Sequence, residues 1–243
     1  MPSTVTATSS SSDDFETVYN VELSCNGCVN SVKESITKLD GITKVEGDVS
    51  KQTITVLGSA APSSIVSQIQ ATGRDAIIRG TGKPNSAAVC ILESFDENDK
   101  SLPVKGLARL VAMGESNVLV DLTLSGVQKG KYYPSFRESG NIWKGALTTG
   151  NSIYDLPPIE AKEKEATSEL YKCQEFVKVP LKITDLIGRS LVVSNDPVKV
   201  FIHSMCGVIA RSAGAWENDK HVCSCTGKTV WQERKDAVGK GIN

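Results

Sequence analysis

The sequence has little of what nucleic-acid binding, membrane insertion or secretion would require. Its formal net charge is -1 and 5% of its residues are aromatic, so it offers neither a basic surface for phosphates nor many rings for base stacking. No apolar run is long enough to span a membrane. Residues 1–14 lack the apolar core of a signal peptide and the arginines of a transit peptide. We therefore expect a soluble, cytoplasmic protein with a disordered tail at 1–14, no nucleic-acid partner and no stable membrane insertion.

The cysteines do not have the pattern of a disulfide scaffold. There are seven, an odd number, in a chain without a secretion signal. Four of them form two tight pairs, Cys25 with Cys28 and Cys223 with Cys225. In a reducing compartment, such pairs indicate metal binding or redox chemistry.

Residues 15–80 have the pattern of a small α+β domain. After Cys28, apolar side chains recur at helical spacing. They are Val29, Val32, Ile36 and Leu39. Pro62 opens a second helix, because proline fits the first helical position. With the strand-like segments around these helices, the predicted order is βαββαβ, a ferredoxin-like fold.

Beyond a linker expected at 80–86, which is punctuated by glycine and proline, the periodicity changes. Residues 118–124 alternate with a period of two, and other short apolar segments have strand character. The stretch 126–180 is predicted to be mostly loop, and its charged run 159–169 to be a solvated loop or a short exposed helix. These features favour an all-β sandwich or barrel.

The last part of the chain, residues 213–243, is short and charged. It has too few apolar residues for a core of its own. We expect a flexible segment that becomes ordered when it binds a partner.

Cys25 and Cys28 fall at the predicted junction of a strand and a helix. A spacing of two residues lets both sulfurs face one point, and the helix N-terminus favours the thiolate of Cys28. Two soft thiolates suit Cu(I), and so few ligands leave the metal open to an incoming thiolate. A structural zinc half-site would need two further ligands, and a thioredoxin-like redox pair a different strand and helix context. The pair therefore predicts metal carriage.

Cys223 and Cys225 are separated by one residue. A disulfide between them would be strained and easily reduced, and the reduced pair would clamp a soft metal. The simpler alternative is two incidental exposed cysteines. His221 is either a third ligand or a solvent-exposed histidine. A further alternative joins both pairs in one Cys₄ zinc site of an interaction protein, which a chelator would unfold.

Four stretches of the sequence carry a family resemblance. They are CNGCVNSVK at 25–33, RDAIIRGTGKPNS at 74–86, LIGRSLVV at 186–193 and GVIARSAGAWENDKHVCSCTGKTVWQERKDA at 207–237. In this order they resemble the copper chaperones for Cu,Zn superoxide dismutase, in their fungal form. The resemblance implies a heavy-metal-associated domain at 15–80, a superoxide-dismutase-like Greek-key barrel at 81–212, and a C-terminal segment at 213–243 with the second cysteine pair.

The same resemblance implies a metallochaperone rather than an enzyme. Such a protein takes Cu(I) on Cys25 and Cys28 and docks with Cu,Zn superoxide dismutase as a heterodimer. It transfers copper and promotes disulfide formation in the target, with Cys223 and Cys225 in copper transfer or disulfide exchange. A homodimer through the dismutase-like domain is an alternative for the free protein. The nucleus and the mitochondrial intermembrane space join the cytoplasm as expected locations.

Two positions near the first pair depart from the family's usual pattern. Leu23 stands where the copper-domain motif usually begins with methionine, and we expect leucine to fill the same apolar space. Arg74 stands where a lysine often lies near the metal. It either offsets the charge of a bis-thiolate Cu(I) centre or is an ordinary surface arginine.

The dismutase-like region departs further, because His203 is the only histidine between residues 106 and 212. By the resemblance, Ser135, Arg137 and Ser194 stand where copper-binding histidines would be, and Ser152 lies near the first zinc position. This implies a docking domain without metal ligands and without zinc, which leaves a divergent dismutase as the enzyme-class alternative.

Other residues of this region are implied to have contact or structural roles. Arg189 and Arg211 lie in segments that resemble the dismutase subunit contact, so they are candidates for contacts with a partner. Cys206 resembles the second cysteine of the dismutase disulfide. The first would fall near Ala146, so we expect no internal disulfide there.

Overall fold

A computed structural model gives the structure of the protein and describes residues 13–165, 168–218 and 226–239. The chain divides into two compact units, with the boundary between Ile78 and Arg79. The described residues form sixteen β-strands and four α-helices. None of these helices combines the length and the apolar character needed to cross a lipid bilayer.

The first unit has the order βαββαβ. Its elements are β1 (Phe15–Val21), α1 (Asn26–Ile36), β2 (Ile42–Asp48), β3 (Thr53–Gly58), α2 (Pro62–Gln70) and β4 (Ala76–Thr81). The strands form one sheet in the order β2-β3-β1-β4. This arrangement confirms the ferredoxin-like prediction.

The apolar residues that predicted α1 form its buried face. Val29, Val32 and Ile36 are buried and contact apolar side chains of β1, β3 and α2 in one core cluster. The helix lies close to the sheet, since a Cβ on Gly47 of β2 would clash with the Val29 side chain. The core of this unit therefore fixes the start of α1, where Cys25 and Cys28 lie.

The second unit is built mainly from strands. Its elements are β5 (Ala87–Glu93), β6 (Val104–Met113), β7 (Asn117–Val127), β8 (Gly130–Arg137), β9 (Trp143–Ala146), β10 (Ser152–Asp155), β11 (Ile159–Ala161), β12 (Glu163–Lys164), β13 (Tyr171–Val179), α3 (Ile183–Leu186), β14 (Ser190–Ser194), β15 (Met205–Val208), β16 (Ala210–Arg211) and α4 (Val230–Gly239), with a short 3-10 helix at Glu97–Asp99. The main sheet order is β10-β8-β14-β15-β5-β6-β7-β13-β12, while β11 pairs with β8 and β16 with β5. This all-β sheet domain is consistent with the predicted Greek-key barrel.

The sheet of the second unit has two buried faces, because successive side chains of a strand point to opposite sides. Phe136, Leu191 and Val193 belong to the large core cluster on one side. Val192 on the other side belongs to a small cluster with Ala146 and Cys206. The second face is the one on which the dismutase-like positions lie, as described below.

The loop prediction for 126–180 is wrong, because this stretch contains the end of β7 and all of the strands β8 to β13. The charged run 159–169 contains β11 and β12, not a loop or a helix. In β11, Ile159 and Ala161 are buried and the intervening Glu160 is exposed. Three residues are too few for this alternation to be visible in the sequence.

The ends of the second unit also differ from expectation. Gly80 and Thr81, predicted to begin a linker, are the last residues of β4. Near the C-terminus, Ala215 is 5% exposed and lies against the rest of the unit. The helix α4 was not predicted, and it buries none of its residues.

Candidate metal centre

The start of α1 brings the sulfurs of Cys25 and Cys28 together. Cys25 precedes the helix in an extended conformation, with φ -161 and ψ 172. Its carbonyl accepts hydrogen bonds from the amides of Cys28 at 3.0 Å and Val29 at 3.3 Å. The two Sγ atoms lie 3.7 Å apart. A metal held about 2.3 Å from each sulfur, as in zinc–thiolate sites, needs them no more than about 4.6 Å apart. Both thiolates can therefore bind one ion.

The pair is open on one side and supported on the other. Cys25 is exposed and Cys28 is half-buried. Leu23, two residues before Cys25, is 2% exposed and belongs to the apolar core of the unit. Leucine thus fills the apolar space beneath the loop, as expected, while the sulfurs remain accessible to another molecule.

Hydrogen bonds lower the pKa of Cys28 from its ordinary value of 9.0 to about 6. The largest cause is the Ser24 hydroxyl, which lies 3.2 Å from Cys28 Sγ and donates to the thiolate. The Ser24 backbone amide, the Arg74 guanidinium and Cys25 lower the pKa further, against a small opposing effect of burial. At neutral pH the Cys28 sulfur is therefore largely the thiolate that metals bind.

Arg74 thus lies at the pair, as one of its two predicted roles requires. It is half-buried, and its Nη1 also donates to the Thr72 carbonyl at 3.1 Å. A guanidinium that donates a hydrogen bond to the Cys28 thiolate favours the negative charge of a bis-thiolate centre.

Gln52 supports the loop, and the sequence analysis missed it. The amide of Leu23 donates to Gln52 Oε1 at 2.8 Å, while Gln52 Nε2 donates to the carbonyls of Leu23 and Val49. Gln52 adopts a left-handed conformation with φ 55 in the turn between β2 and β3. The positive φ of a non-glycine residue is a structural signal that the sequence does not contain.

The other predicted ligands are not brought to this site by any described contact. Cys223, Cys225 and His221 lie outside the described residues. Within the ranges that the structure describes, no group of three or more histidine, cysteine, aspartate or glutamate side chains is arranged to hold a metal ion. The described part of the site therefore consists of two sulfurs.

The dismutase-like positions do share one face of the second unit. Ser135 lies opposite Val192 and Arg137 opposite Ser190 across β8 and β14. Side chains two residues apart on a strand point the same way, so Ser135, Arg137 and Ser194 face the same side as Val192. Ser152 of β10 is the register partner of Arg137. The four positions predicted from the resemblance are thus neighbours.

Local hydrogen bonds occupy the side chains at these positions. Ser194 Oγ donates to the Lys199 carbonyl at 2.6 Å, Ser152 Oγ to Asp155 Oδ1 at 2.6 Å, and Arg137 Nη2 to the Gly150 carbonyl. His203 stacks on the Phe201 ring, with ring centroids 5.0 Å apart. By the resemblance, a guanidinium and serine hydroxyls stand where the imidazole ligands of copper or zinc would be.

Of the remaining predicted residues, Arg189 and Cys206 have partners within the second unit. Arg189 donates to the carbonyls of Glu138 at 2.7 Å and Asp185 at 2.6 Å, so it ties β14 to the segment before β9. Arg211 is exposed. Cys206 packs in the same cluster as Ala146, which agrees with the position that the resemblance gave to the missing partner cysteine.

Comparisons with known proteins find relatives along nearly the whole chain. The family model described as "Heavy-metal-associated domain" matches residues 18–75. The "Superoxide dismutase 1 copper chaperone" of Debaryomyces hansenii is 52% identical over 94% of this chain and 98% of the relative. The protein of the same name from Saccharomyces cerevisiae is 43% identical over 95% and 98%. The "Copper chaperone for superoxide dismutase" of Rattus norvegicus is 28% identical over 92% and 90%.

Proposed function

We propose that this chain, which belongs to the family of copper chaperones for superoxide dismutase, carries copper as Cu(I) on Cys25 and Cys28 and delivers it to Cu,Zn superoxide dismutase. The observation that carries this proposal is the 3.7 Å separation of two accessible sulfurs at the start of α1. Two thiolates suit the soft ion Cu(I), whereas zinc favours four ligands. The chain is a metallochaperone rather than an enzyme.

The exposure of Cys25 supports transfer by ligand exchange. An incoming thiolate forms a bond to the metal from the open side, and one protein thiolate leaves. A second exchange moves the ion completely to the acceptor and releases the second protein thiolate. The ion stays Cu(I) throughout, so no oxidant is needed for the transfer.

We propose that residues 81–212 form the docking part of the chaperone, which binds superoxide dismutase as a heterodimer. Support comes from the face of β8 and β14 at which serine and arginine hold the positions that the resemblance assigns to metal ligands, while β14 pairs with β8 and β15 without a register shift. On the same grounds we propose that this part binds no zinc. A homodimer through the same surface is the alternative assembly of the free protein.

We propose that residues 213–243 act on the docked target through Cys223 and Cys225. In thiol–disulfide exchange, a Cys223–Cys225 disulfide takes two electrons and two protons from two target thiols. The target then holds a disulfide and the tail a dithiol.

The proposed division of the chain into parts is completed by the copper-carrying residues 15–80 and the tail 1–14. We propose the cytoplasm as the location, with the nucleus and the mitochondrial intermembrane space as further compartments.

The copper proposal is tested by replacing Cys25 and Cys28 with serine in the full chain. The parent protein and the variant both carry serine at 223 and 225, so that copper binding by Cys25 and Cys28 alone is measured. Competition with a Cu(I) chelator should show one bound copper for the parent and none for the variant. Cys173→Ser, at a half-buried cysteine of β13, is the control and should keep one. Undiminished binding without Cys25 and Cys28 would contradict the proposal.

The role of the tail is tested with metal-free, disulfide-reduced superoxide dismutase. Complex formation, copper content and disulfide state of the target are followed together. Cys223→Ser/Cys225→Ser should form the complex but fail to activate the dismutase. Full activation by this variant would remove the tail from the mechanism and leave the copper proposal standing.

A further inference from the structure

The two residues between Cys25 and Cys28 are an asparagine followed by a glycine, Asn26 and Gly27. They form the only asparagine–glycine pair in the sequence. Both residues are exposed, and α1 begins at Asn26. Asparagine is most reactive when a glycine follows it, because glycine has no Cβ to hinder attack of its backbone nitrogen on the asparagine side chain.

The backbone at Gly27 is held weakly, because it lies in the first turn of α1. The first backbone amides of a helix have no carbonyl one turn earlier to bind. The amides of Cys28 and Val29 donate to the Cys25 carbonyl at 3.0 and 3.3 Å, and no side chain within the described residues caps this end. The buried residues of α1 begin at Val29. Opening the first turn therefore breaks few bonds and leaves the apolar core covered.

Asn30 provides a comparison one turn later in the same helix. It is exposed, like Asn26, and is followed by Ser31. The backbone nitrogen after Asn30 belongs to the helix interior, where each amide donates to the carbonyl four residues earlier. The serine Cβ hinders attack as well. The two asparagines thus share a helix and an exposure class but differ in the two features that permit reaction.

We propose that Asn26 is a site of spontaneous deamidation, which alters the Cys25–Cys28 site in the metal-free protein. The Gly27 nitrogen gives up its proton and forms a bond to Asn26 Cγ. The bond from Cγ to the side-chain nitrogen breaks, and this nitrogen leaves as ammonia. Solvent water then opens the cyclic imide at either of its carbonyls, which gives aspartate or isoaspartate. One water is consumed and one ammonia is released, without any oxidation or reduction.

Both products change the segment that joins two sulfurs lying 3.7 Å apart. Aspartate adds a carboxylate beside a centre in which two thiolates already exceed the single charge of Cu(I), so the added charge is repelled. Isoaspartate places one more carbon in the main chain between Cys25 and Cys28. The hydrogen bonds to the Cys25 carbonyl then lose their register. The deamidated chain should therefore bind Cu(I) several-fold more weakly.

Bound copper should protect Asn26, and this step rests on the proposed binding of Cu(I) by Cys25 and Cys28. An ion that joins both sulfurs holds both ends of the segment, so the turn opens only when the metal leaves. If the open turn does not bind copper, Cu(I) at about ten times its dissociation constant should slow the reaction about ten-fold. The unloaded protein thus loses its site with time, while the loaded protein keeps it.

The first test compares Asn26 with Asn30 in the full chain, metal-free and reduced, in mildly alkaline buffer. Peptide mass spectrometry in heavy-oxygen water counts the aspartate and isoaspartate formed at each position. Conversion should be at least several-fold faster at Asn26. Gly27→Ala should remove this difference, and it keeps the site because its Cβ would lie 3.5 Å from Cys25 Sγ, an ordinary contact.

Three results would overturn the deamidation proposal. The first is an equal rate at Asn26 and Asn30. The second is an unchanged rate at Asn26 in Gly27→Ala. The third is conversion at Asn26 only after the chain has been denatured in urea, because the first turn of the native helix would then be closed.

The second test repeats the incubation in buffered Cu(I), with serine at 223 and 225. Copper should slow conversion at Asn26 about ten-fold, as calculated above, and leave Asn30 unchanged. A chain that binds one copper and still reacts at the metal-free rate would overturn the protection alone. A chain that binds no copper would contradict the proposed function, while deamidation of the metal-free protein would remain.

The effect on the site is measured by competition with a Cu(I) chelator. Asn26→Asp reproduces one product, and Asn26→Gln is the matched variant with a neutral amide that forms a ring much more slowly. Asn26→Asp and the purified isoaspartate form should both bind Cu(I) several-fold more weakly than Asn26→Gln. Equal affinities of all three would overturn the inferred loss of copper binding.

Discussion

In the first unit, two sulfurs lie 3.7 Å apart at the start of α1, whereas in the second unit four positions that the sequence resemblance assigns to metal ligands share one face but hold serine and arginine. The first unit has ligands in a setting that leaves the metal accessible. At the corresponding positions of the second unit, the side chains make local hydrogen bonds. Carrying a metal requires few, exposed ligands, while binding a partner requires a shaped surface, and the proposed function assigns these two requirements to separate units.

The cysteines of the two units differ in the same sense. Hydrogen bonds from Ser24 and Arg74 lower the pKa of Cys28 to about 6, whereas burial raises the pKa of Cys90 and of Cys206 to about 12. The same side chain is thus a thiolate at the loop and an inert apolar group in the sheet. The environment, not the residue type, decides which cysteines can carry copper.

The largest expected effect comes from placing metal-binding side chains in the second unit, which would remove the contrast between the two units. Ser135→His/Arg137→His/Ser194→His places three imidazoles on one face of β8 and β14. In a background with serine at all four paired cysteines, we expect the chain to change from no bound Cu(II) to one per chain, because imidazole suits copper. Electron paramagnetic resonance and metal analysis measure this change.

The matched control carries three histidines at exposed positions of separate segments, Lys38→His/Lys129→His/Lys235→His. It should not gain a stoichiometric copper site. Failure of the first triple variant to bind copper, with the fold retained, would mean that the face differs from a metal site by more than its ligands. Superoxide turnover by the unaltered, copper-loaded chain would contradict the comparison itself.

The pH dependence of alkylation sharpens the contrast between the cysteines. In the metal-free protein, the Cys28 thiolate forms as the pH rises through about 6, so its alkylation rate should rise below pH 7 and then level off. Cys90 and Cys206 should stay unmodified over the same range, since they are buried and their pKa values are raised. Site-resolved mass spectrometry after iodoacetamide pulses at each pH gives both results.

Ser24→Ala tests the cause of the lowered pKa. Without the hydroxyl that stabilises the thiolate, the pKa of Cys28 should move back towards its ordinary value, and alkylation at pH 6 should slow several-fold. Ser31→Ala, at an exposed serine of α1, should leave the profile unchanged. An unshifted profile in Ser24→Ala would assign the effect to the backbone and Arg74 instead.

The first unit was predictable from its sequence for physical reasons. The spacing of Val29, Val32 and Ile36 reports directly on the buried face of a helix, and the two-residue spacing of Cys25 and Cys28 at its start brings both sulfurs to one side. The order of strands and helices then followed. The pair itself was found because chemistry and local structure coincide in a few consecutive residues.

The features that were missed depend on distant contacts. Between residues 126 and 180, the strands β9 to β12 are only two to four residues long, so their alternation is weak in the sequence. Gln52 reaches Leu23 from 29 positions along the chain. No local sequence pattern predicts such contacts, because they exist only after the sheet has formed.

The smallest expected effect concerns the support of the segment with Cys25 and Cys28. In the first unit this support comes from one side chain in a turn, that of Gln52. In the second unit the strand register sets the corresponding positions. Gln52→Ala removes the hydrogen bonds to both backbone groups of Leu23 and to the Val49 carbonyl. At about 1 kcal/mol net for each of these three bonds, the first unit should lose about 3 kcal/mol of unfolding free energy. Hydrogen exchange of α1 in the full chain, measured against urea, reports on this unit separately from the second.

Two further variants show whether the loss of unfolding free energy in Gln52→Ala comes from the missing hydrogen bonds. Gln52→Gly also removes the amide but relieves the left-handed φ of 55, so it should be about 1 kcal/mol more stable than Gln52→Ala. Gln70→Ala removes a glutamine whose amide bonds the exposed Asp75 carboxylate, and it should change the stability by less than about 0.5 kcal/mol. If Gln52→Ala were as mild as Gln70→Ala, the loop that holds Cys25 and Cys28 would be stabilised by the apolar packing of Leu23 alone, and the first unit would need no anchor beyond its core.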